Sequence, residues 1–297
     1  RVRSVDIKPI DDWYQVHADA ENMVADLKDL ASCRQAVKGA TRVYQLAADM
    51  GGMGFIENNK ALCMLSVLTN THMLMAARDE GTVERFFYSS SACVYNADKQ
   101  KSEDVIALTE GDAYPAMPED GYGWEKLFSE RMCRHFREDF GLQTRVARFH
   151  NVYGPNGTWD GGREKAPAAI TRKVIQAKMS NDLNIEIWGD GKPTRSFMYI
   201  DDCVKGINLF TDGDCTEPLN LGSNELTTIN GLVSMVEEIG DAAMCTTSFE
   251  YFQQAGVESW LAALCERFGT TRGWSDGDAH RRARISIWSC HRTAHHH

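Results

Sequence analysis

A tyrosine and a lysine, Tyr122 and Lys126, stand four residues apart at the start of a charged stretch. In a helix, that spacing places both side chains on one face. A free phenol titrates at about pH 10 and is a poor base at neutral pH, but a neighbouring ammonium group favours the phenolate. The pair therefore indicates proton transfer during hydride chemistry and contact with a cofactor ribose, although a chance Tyr-x-x-x-Lys is the alternative.

A run of serines follows an apolar segment upstream of this pair. Phe86–Ser89 predicts a strand, and Ser91, Ala92 and Cys93 come after it. A serine at the carboxyl end of a strand can hydrogen-bond a substrate hydroxyl, so Ser91 completes a Ser–Tyr–Lys set. Cys93 is directed to the same side as Ser91 if the strand continues. A polar turn and a buried structural cysteine are the alternative interpretations.

Two aspartates could bind a dinucleotide. Asp6 ends the first predicted strand, where a carboxylate can accept both ribose hydroxyls. Asp26 could contact an adenine edge. A solvated turn residue and a helix N-cap are the respective alternatives.

Glycines and a lysine mark two further loops. Gly51, Gly52 and Gly54 follow a predicted strand at Val43–Ala48. They allow the backbone to approach a phosphate closely, or they only form a tight turn. Lys165 follows a glycine turn and precedes a predicted helix, so it is either a site residue or a solvated loop lysine.

The elements that position these residues alternate between strand and helix through about the first 150 residues. This alternation predicts an α/β fold with a Rossmann-like, doubly wound parallel sheet. Ligands bind such a sheet at the carboxyl ends of its strands. We expect a dinucleotide-binding domain at 1–155, a smaller substrate-binding α/β region at 156–240, and an unassigned tail at 241–297.

Composition excludes several classes of protein. The chain has 297 residues and a net charge of −10 without a basic run, which argues against a nucleic-acid binder. We find no apolar stretch long enough to span a membrane and no secretory signal, so no membrane partner is expected. The cysteines are scattered without CxxC pairs, which favours reduced thiols and a cytoplasmic location.

Six stretches together resemble one known family. They are LAADMGGMGFI (46–56), FFYSSSACVY (86–95), YGWEKL (122–127), RFHNVYGPNGTWDGGREKAPAA (148–169), WGDGKPTRSFMYIDDCV (188–204) and PLNLGS (218–223). With these, the sequence resembles the extended short-chain dehydrogenase/reductase family, which includes NAD-dependent epimerases and dehydratases. The resemblance covers about residues 2–240. The Gly-Gly-Arg-Glu-Lys-Ala-Pro run is far more specific than Tyr-x-x-x-Lys.

The resemblance implies an NAD-dependent epimerase that oxidises C4 of GDP-mannose, inverts C3 and C5, and then reduces C4 again. It assigns the hydride step to Tyr122, Lys126 and Ser91, and the epimerising acid/base pair to Cys93 and Lys165. Asp6, Asp26, Tyr122 and Lys126 would contact NAD. Substrate contacts would come from Gly51, Ser91, Ala92, Cys93, Asn151, Glu164, Lys165, Ala166, Lys173, Thr194, Arg195 and Ser196. A homodimer is also implied, with interface candidates in the two predicted helices at 61–78 and 123–139.

Two departures from the family pattern leave alternatives open. The glycine loop and first strand that bind the cofactor pyrophosphate are not found, so we expect a chain truncated at its front. Residues 242–297 contain no lysine and show no family pattern. The chain could therefore be another nucleotide-sugar epimerase or dehydratase, or an inactive fragment that binds nucleotide sugars.

Overall fold

The computed structural model describes residues 1–96, 108–180, 184–187 and 189–243. Short 3₁₀ helices lie at Ile10–Asp12, Ala92–Val94 and Glu110–Ala113. The strands and α-helices of this part of the chain are β1 (Arg3–Asp6), β2 (Glu21–Val24), α1 (Leu30–Val37), β3 (Arg42–Gln45), α2 (Met53–Asn58), α3 (Lys60–Met64), α4 (Ser66–Glu80), β4 (Arg85–Ser91), α5 (Asp120–Phe140), β5 (Thr144–Phe149), β6 (Asn151–Tyr153), α6 (Ala166–Ser180), β7 (Thr194–Tyr199), α7 (Ile200–Asp212), β8 (Leu219–Leu221), β9 (Leu226–Thr228) and α8 (Ile229–Ala243).

A parallel four-stranded sheet, in the order β3-β4-β5-β8, lies at the centre of the protein. Phe87 of β4 pairs with Tyr44 of β3 and with Arg145 of β5. Phe86 and Phe87 are both fully buried, as expected for an inner strand that is covered on both faces. β1 and β2 form a separate parallel pair.

Helices cover both faces of the central sheet. On one face, α1, α4 and α5 contribute Cys33, Leu74 and Phe136 to a cluster with Phe86 and Tyr88. On the other face, Phe210 of α7 packs in a cluster with Phe87, Ala147 and Leu221. This arrangement confirms the predicted α/β fold with a parallel sheet.

A second, smaller sheet packs with α6 and α8. β6, β7 and β9 make a three-stranded mixed sheet, in which β6 pairs parallel and β9 antiparallel with β7. Tyr153, Val174, Phe197 and Leu232 join α6 and α8 to this sheet in one apolar cluster. β8 lies in the segment predicted to bind substrate, yet it pairs with β5 of the central sheet. The division into two domains at residue 155 stays a prediction.

Two outcomes concern the helices and the tail. The continuous helix expected across 61–78 is instead two helices, α3 and α4, which meet at Leu65. No helix in the described residues is long and apolar enough to cross a membrane. Most of the tail predicted at 241–297 lies outside the described residues.

Candidate active site

The turn that follows β4 carries Ser91 and Cys93. The Ser91 hydroxyl oxygen accepts a hydrogen bond from the Cys93 main-chain N–H at 3.2 Å, which starts the 3₁₀ helix Ala92–Val94. The Cys93 carbonyl oxygen accepts from the Glu119 N–H at 3.0 Å. Burial raises the pKa of the Cys93 thiol to about 11, and the Glu119 carboxylate adds to the rise. The thiol is therefore the stable form at neutral pH.

Tyr122 and Lys126 lie on the first turns of α5, with the residues 5% and 3% exposed. The Lys126 ammonium donates to the Ser89 carbonyl oxygen at 3.0 Å and lies 5.6 Å from the centre of the Tyr122 ring. The Tyr122 hydroxyl interacts with Ser91. Burial raises the pKa of Tyr122 and lowers the pKa of Lys126. The structure thus brings together the three residues predicted for the hydride step.

A buried carboxylate that no sequence motif indicated, Glu125, supports this lysine. Glu125 is 2% exposed and one of its oxygens lies 3.7 Å from the Lys126 nitrogen. Its other oxygen accepts from the Tyr88 hydroxyl at 3.1 Å and the Ser129 hydroxyl at 3.0 Å. Because its charge favours the ammonium form, Glu125 opposes the effect of burial on the pKa of Lys126. A glutamate next to a lysine in a helix is not a pattern that indicates a functional site, so the sequence alone could not identify Glu125.

Lys165 reaches this site from the loop before α6. Its amine donates to the Gly51 carbonyl oxygen at 3.1 Å. Burial lowers the pKa of Lys165, while the Cys93 thiol acts in the opposite direction. Lys165 and Cys93 are therefore near enough to interact electrostatically, although they come from different loops. Together they offer an amine that can lose its proton and a thiol that stays protonated at neutral pH.

The glycines after β3 allow these two loops to meet. A Cβ atom on Gly52 would lie 2.5 Å from the Glu164 carbonyl oxygen, and the Gly52 N–H donates to the Arg163 carbonyl oxygen at 3.2 Å. A residue with a side chain would therefore push the loops apart. The sequence predicts that the backbone at these glycines can approach another group closely. In the structure, that group is the backbone of the loop that carries Lys165.

Arg163 joins the same two loops through its side chain, and the sequence analysis did not single it out. Its guanidinium carbon lies 4.0 Å from the centre of the Phe55 ring and one of its nitrogens lies 3.9 Å from an Asp49 oxygen. A guanidinium group over an aromatic face is attracted by the ring quadrupole. No local pattern could have identified this contact, because the two residues are far apart in the chain.

Residues predicted to bind substrate also lie on β6 and β7. The Asn151 side-chain amide donates to the Ser196 carbonyl oxygen at 3.1 Å. The Arg195 guanidinium donates to the Thr194 carbonyl oxygen at 2.9 Å and interacts electrostatically with Glu119. Arg195 is thus linked to the Cys93 turn through Glu119.

Three further predicted contacts lie on or next to α6. Ala166 is the first residue of the helix. One Glu164 oxygen accepts from Arg172 at 3.0 Å and the other from the Gly162 N–H at 2.7 Å. The Lys173 amine donates to the Glu186 carbonyl oxygen at 2.5 Å. Glu164 and Lys173 are therefore held by protein groups here, and their contacts with a substrate stay predictions.

Asp6 and Asp26 form a second group at the carboxyl ends of β1 and β2. Both are exposed, and one oxygen of each accepts a main-chain N–H, from Lys8 and from Lys28, at 2.9 Å. The Asp6 carbonyl oxygen also accepts from the Ala25 N–H at 2.9 Å. The two carboxylates thus lie beside the adjacent ends of β1 and β2.

Comparison with known proteins identifies the family. Residues 2–222 match the sequence model of the NAD dependent epimerase/dehydratase family. The chain belongs to this family. The GDP-mannose 3,5-epimerase of Arabidopsis thaliana is 46% identical over 232 residues, which are 76% of this chain and 60% of that protein. The chain spans about three fifths of the length of the curated GDP-mannose 3,5-epimerases that it matches.

Solved structures of the epimerase/dehydratase family have the same fold. A UDP-glucose 4-epimerase from Thermotoga maritima superposes with a TM-score of 0.70 at 22% identity, over 82% of this chain and 75% of that one. A UDP-glucuronic acid 4-epimerase from Bacillus cereus, solved with UDP-glucuronic acid and NAD, gives a TM-score of 0.62 at 25% identity, over 76% of this chain and 67% of that one. At 22% identity, the similarity to the Thermotoga maritima enzyme shows only that the two chains share a fold.

Proposed function

We propose that this chain carries the sugar-binding and proton-transfer residues of an epimerase that inverts C3 and C5 of GDP-mannose, giving GDP-L-galactose and GDP-L-gulose. The observation that carries the proposal is the meeting of Cys93 and Lys165 beside Tyr122 and Ser91. A 4-epimerase needs no such thiol–amine pair. The 46% identity to a GDP-mannose 3,5-epimerase supports the choice of sugar.

We infer that NAD is the cofactor, and the available donor and acceptor groups fit it. Asp6 offers an exposed carboxylate for the hydroxyls of one ribose, and Asp26 offers another for an adenine edge. Tyr122 and Lys126 offer a hydroxyl and an ammonium group for the second ribose. When bound, NAD would remove a hydride from C4 of the sugar and later return it.

The C4 hydroxyl must lose its proton as the hydride leaves. A Tyr122 phenolate can accept this proton directly or through the Ser91 hydroxyl, with which it interacts, so that the sugar O–H bond breaks and a phenol O–H bond forms. Because Lys126 lies beside the Tyr122 ring, its positive charge stabilises this phenolate before it accepts the proton. The same groups return the proton when C4 is reduced again.

The C4 ketone acidifies the hydrogens at C3 and C5. With its pKa lowered by burial, the Lys165 amine can take one of these protons, so that a C–H bond breaks and an N–H bond forms. The Cys93 thiol then protonates the opposite face, so that an S–H bond breaks and a C–H bond forms. Inversion at each carbon moves one proton from sulfur to nitrogen, and exchange with solvent resets the pair.

The experiment that tests this proposal is incubation with GDP-mannose and NAD in D2O, followed by NMR of the sugar. Deuterium is expected at both C3 and C5. Cys93→Ala and Lys165→Ala should abolish this exchange and leave NAD binding intact. Cys215→Ala and Lys192→Ala, at exposed positions, are the matched controls. Deuterium at neither carbon in the unmodified protein contradicts the proposal.

We further propose that the protein forms a homodimer through α3, α4 and α5. This face carries several large apolar side chains that are 39–51% exposed, and their spacing along each helix places them near one another. They are Met64, Leu65, Leu68, Trp124 and Phe128.

We also propose a cytoplasmic location. All six cysteines in the described part of the chain are free thiols, five of them buried or partly buried. Reducing compartments keep thiols in this state. Localisation of the tagged protein in its own cells tests the assignment.

A further inference from the structure

A buried ion pair joins α5 to β5 close to the candidate site. Glu130 of α5 and Arg148 of β5 are 3% and 1% exposed. The Arg148 Nε and Nη2 atoms donate to the two Glu130 carboxylate oxygens at 2.9 and 2.7 Å. Two parallel hydrogen bonds between a guanidinium group and a carboxylate fix the orientation of both side chains. Glu130 lies one helical turn after Lys126, which itself donates to the Ser89 carbonyl oxygen at 3.0 Å.

This pair binds the residue that precedes the 91–94 turn, the turn after β4 that carries the candidate serine and thiol. Ser90 and Arg148 are direct partners in the ladder between β4 and β5. The Ser90 hydroxyl donates to the Glu130 Oε1 atom at 2.5 Å, and Ser90 is buried. The first end of the turn is therefore attached to the ion pair by a directed hydrogen bond.

The same pair contacts the residue that follows the turn. The Tyr95 N–H donates to the Ala92 carbonyl oxygen at 3.2 Å and ends the 3₁₀ helix of the turn. The Arg148 guanidinium carbon lies 5.1 Å from the centre of the buried Tyr95 ring, where the ring quadrupole attracts a cation. The Tyr95 hydroxyl donates to the Asn220 side-chain oxygen of β8. Both ends of the turn thus contact one ion pair.

A buried ion pair contributes geometry more than stability. Removing two charges from water costs free energy, and apolar residues of similar volume often give an equally stable core. Apolar residues at 130 and 148 would offer no acceptor to the Ser90 hydroxyl and no cation to the Tyr95 ring. The contacts that only the ion pair can make are therefore those at the two ends of the turn.

We propose that Glu130 and Arg148 are positioning residues for the 91–94 turn. They hold the turn at both ends, so that its hydroxyl and thiol groups keep their places relative to α5. The consequence for catalysis rests on the proposed function, in which this turn supplies groups for both the hydride step and the inversion of C3 and C5.

Two variants loosen the turn in different ways. Ser90→Ala releases one end and leaves the ion pair intact. Arg148→Lys keeps the charge but loses the paired hydrogen bonds and the planar group over the ring. The control is Thr144→Val, which removes a buried hydroxyl that joins β5 to α5. Thr144 pairs with Phe86 at the opposite end of the ladder, and its hydroxyl donates to the Cys133 carbonyl oxygen at 2.9 Å.

The first measurement is hydrogen exchange of main-chain N–H groups by mass spectrometry, which needs no ligand. In the turn, the Cys93 N–H donates to the Ser91 hydroxyl oxygen and the Tyr95 N–H donates to the Ala92 carbonyl oxygen. We expect residues 92–95 to exchange at least about threefold faster in Ser90→Ala and Arg148→Lys, with residues 86–88 of β4 unchanged. Thr144→Val should leave the turn at the rate of the unmodified protein.

The second measurement is the kinetics of deuterium exchange at C3 and C5 of GDP-mannose with NAD present. We expect Ser90→Ala to lower kcat about tenfold and to change KM less than about twofold. The turn carries groups proposed to act on the reacting atoms, whereas the predicted substrate contacts on β6, β7 and α6 are not displaced. Thr144→Val should keep both constants.

The two measurements separate this inference from the proposed function. It is overturned if residues 92–95 of Ser90→Ala exchange at the unmodified rate, or if residues 86–88 accelerate by the same factor, which would indicate a general loss of stability. If Arg148→Lys does not fold, Ser90→Ala decides alone. If the unmodified protein shows no deuterium at C3 or C5, the proposed function fails, and amide exchange still decides whether the pair holds the turn. If deuterium appears and Ser90→Ala keeps its kcat, the proposed function stands and the positioning role fails.

Discussion

A Cβ atom on Gly123 would lie only 2.4 Å from the carbonyl oxygen of Cys93. Gly123 directly follows Tyr122, so this contact sets the distance between the helix that carries the phenol and the turn that carries the thiol. One close backbone approach thus positions both Tyr122 and Cys93, which act in different steps of the proposed reaction.

Replacement of Gly123 by alanine should therefore displace the Cys93 turn. We expect Gly123→Ala to lower the free energy of unfolding by about 1–3 kcal/mol, as overpacking in a tight core does. Urea denaturation measures this change, and exchange at C3 and C5 should fall with it. Gly111→Ala is the control, because a Cβ atom there meets nothing within 4 Å. Equal stability of the two variants would show that the turn moves freely.

The contact between Arg163 and Phe55 should matter more for substrate binding than for stability. It joins the loop that carries Lys165 to the loop that carries Gly51, and Arg163 is partly exposed. Arg163→Lys keeps the charge and loses the planar group that stacks on the ring. We expect KM for GDP-mannose to rise about two- to fivefold with little change in Tm.

Arg134→Lys is the matched control for this prediction, since Arg134 pairs with Glu138 on the exposed face of α5. It should leave KM unchanged. A KM for Arg163→Lys equal to that of the control would mean that the stacking contact does not hold the loops in the substrate complex.

Local patterns were sufficient to predict much of the fold and the core of the site. The apolar run Phe86–Tyr88 predicts a strand, and the predicted strand Phe86–Ser89 lies inside β4. Tyr122 and Lys126 share a helix face because a spacing of four residues determines this wherever a helix forms. The strand continues through the three serines beyond this apolar run and ends at Ser91, directly before the 3₁₀ helix that carries Cys93.

Other features depend on contacts between distant segments and left no pattern. β2, Glu21–Val24, was not predicted, because its four residues show no alternation and are half-buried or exposed. Glu119 precedes a helix like many acidic residues, and only the fold brings it to Cys93. Which glycine approaches which carbonyl group depends on how the loops pack together.

The pH dependence of deuterium exchange should show which group is the acid. If Lys165 must be a free amine, exchange rises with pH and levels off below the ordinary lysine value, because burial lowers this pKa. If Cys93 must be a thiol, exchange falls only as pH approaches about 11. We therefore expect a rate that rises with pH, levels off below the ordinary lysine range and declines only as the pH approaches about 11. A decline at the pH where Lys165 loses its proton would assign the acid role to the ammonium group and the base role to the thiolate instead.

The proposed dimer can be tested by placing charges on its face. Leu68 and Phe128 are 39% and 51% exposed on α4 and α5. We expect Leu68→Glu and Phe128→Glu to produce monomers, because a buried unpaired carboxylate opposes association. Light scattering after size-exclusion chromatography measures the mass. Leu209→Glu changes a residue on α7 that is 45% exposed and should leave the dimer intact. Dimers in all three variants would move the interface elsewhere.

A buried histidine next to β7, which carries residues predicted to contact substrate, should make the protein sensitive to acid. His150 is 7% exposed, its Nδ1 atom lies 3.3 Å from the Ser196 hydroxyl, and a Cβ atom on Gly222 would lie 2.6 Å from its ring. Burial lowers the pKa of His150 from its ordinary value of 6.5 to about 4. Between these two pH values, His150 therefore binds a proton in the unfolded chain and stays neutral in the folded chain.

The stability that depends on a neutral His150 is present above about pH 6.5 and is lost as pH falls towards about 4. At about 1.4 kcal/mol for each pKa unit, the loss is at most about 3 kcal/mol. His150→Gln, which does not titrate, should lose less stability than the unmodified protein when urea denaturation is compared at pH 7 and pH 4.5. Other acidic groups contribute equally to both proteins, so the difference between their slopes isolates the histidine. Parallel slopes would mean that His150 becomes protonated without unfolding the site, through a local opening beside Ser196.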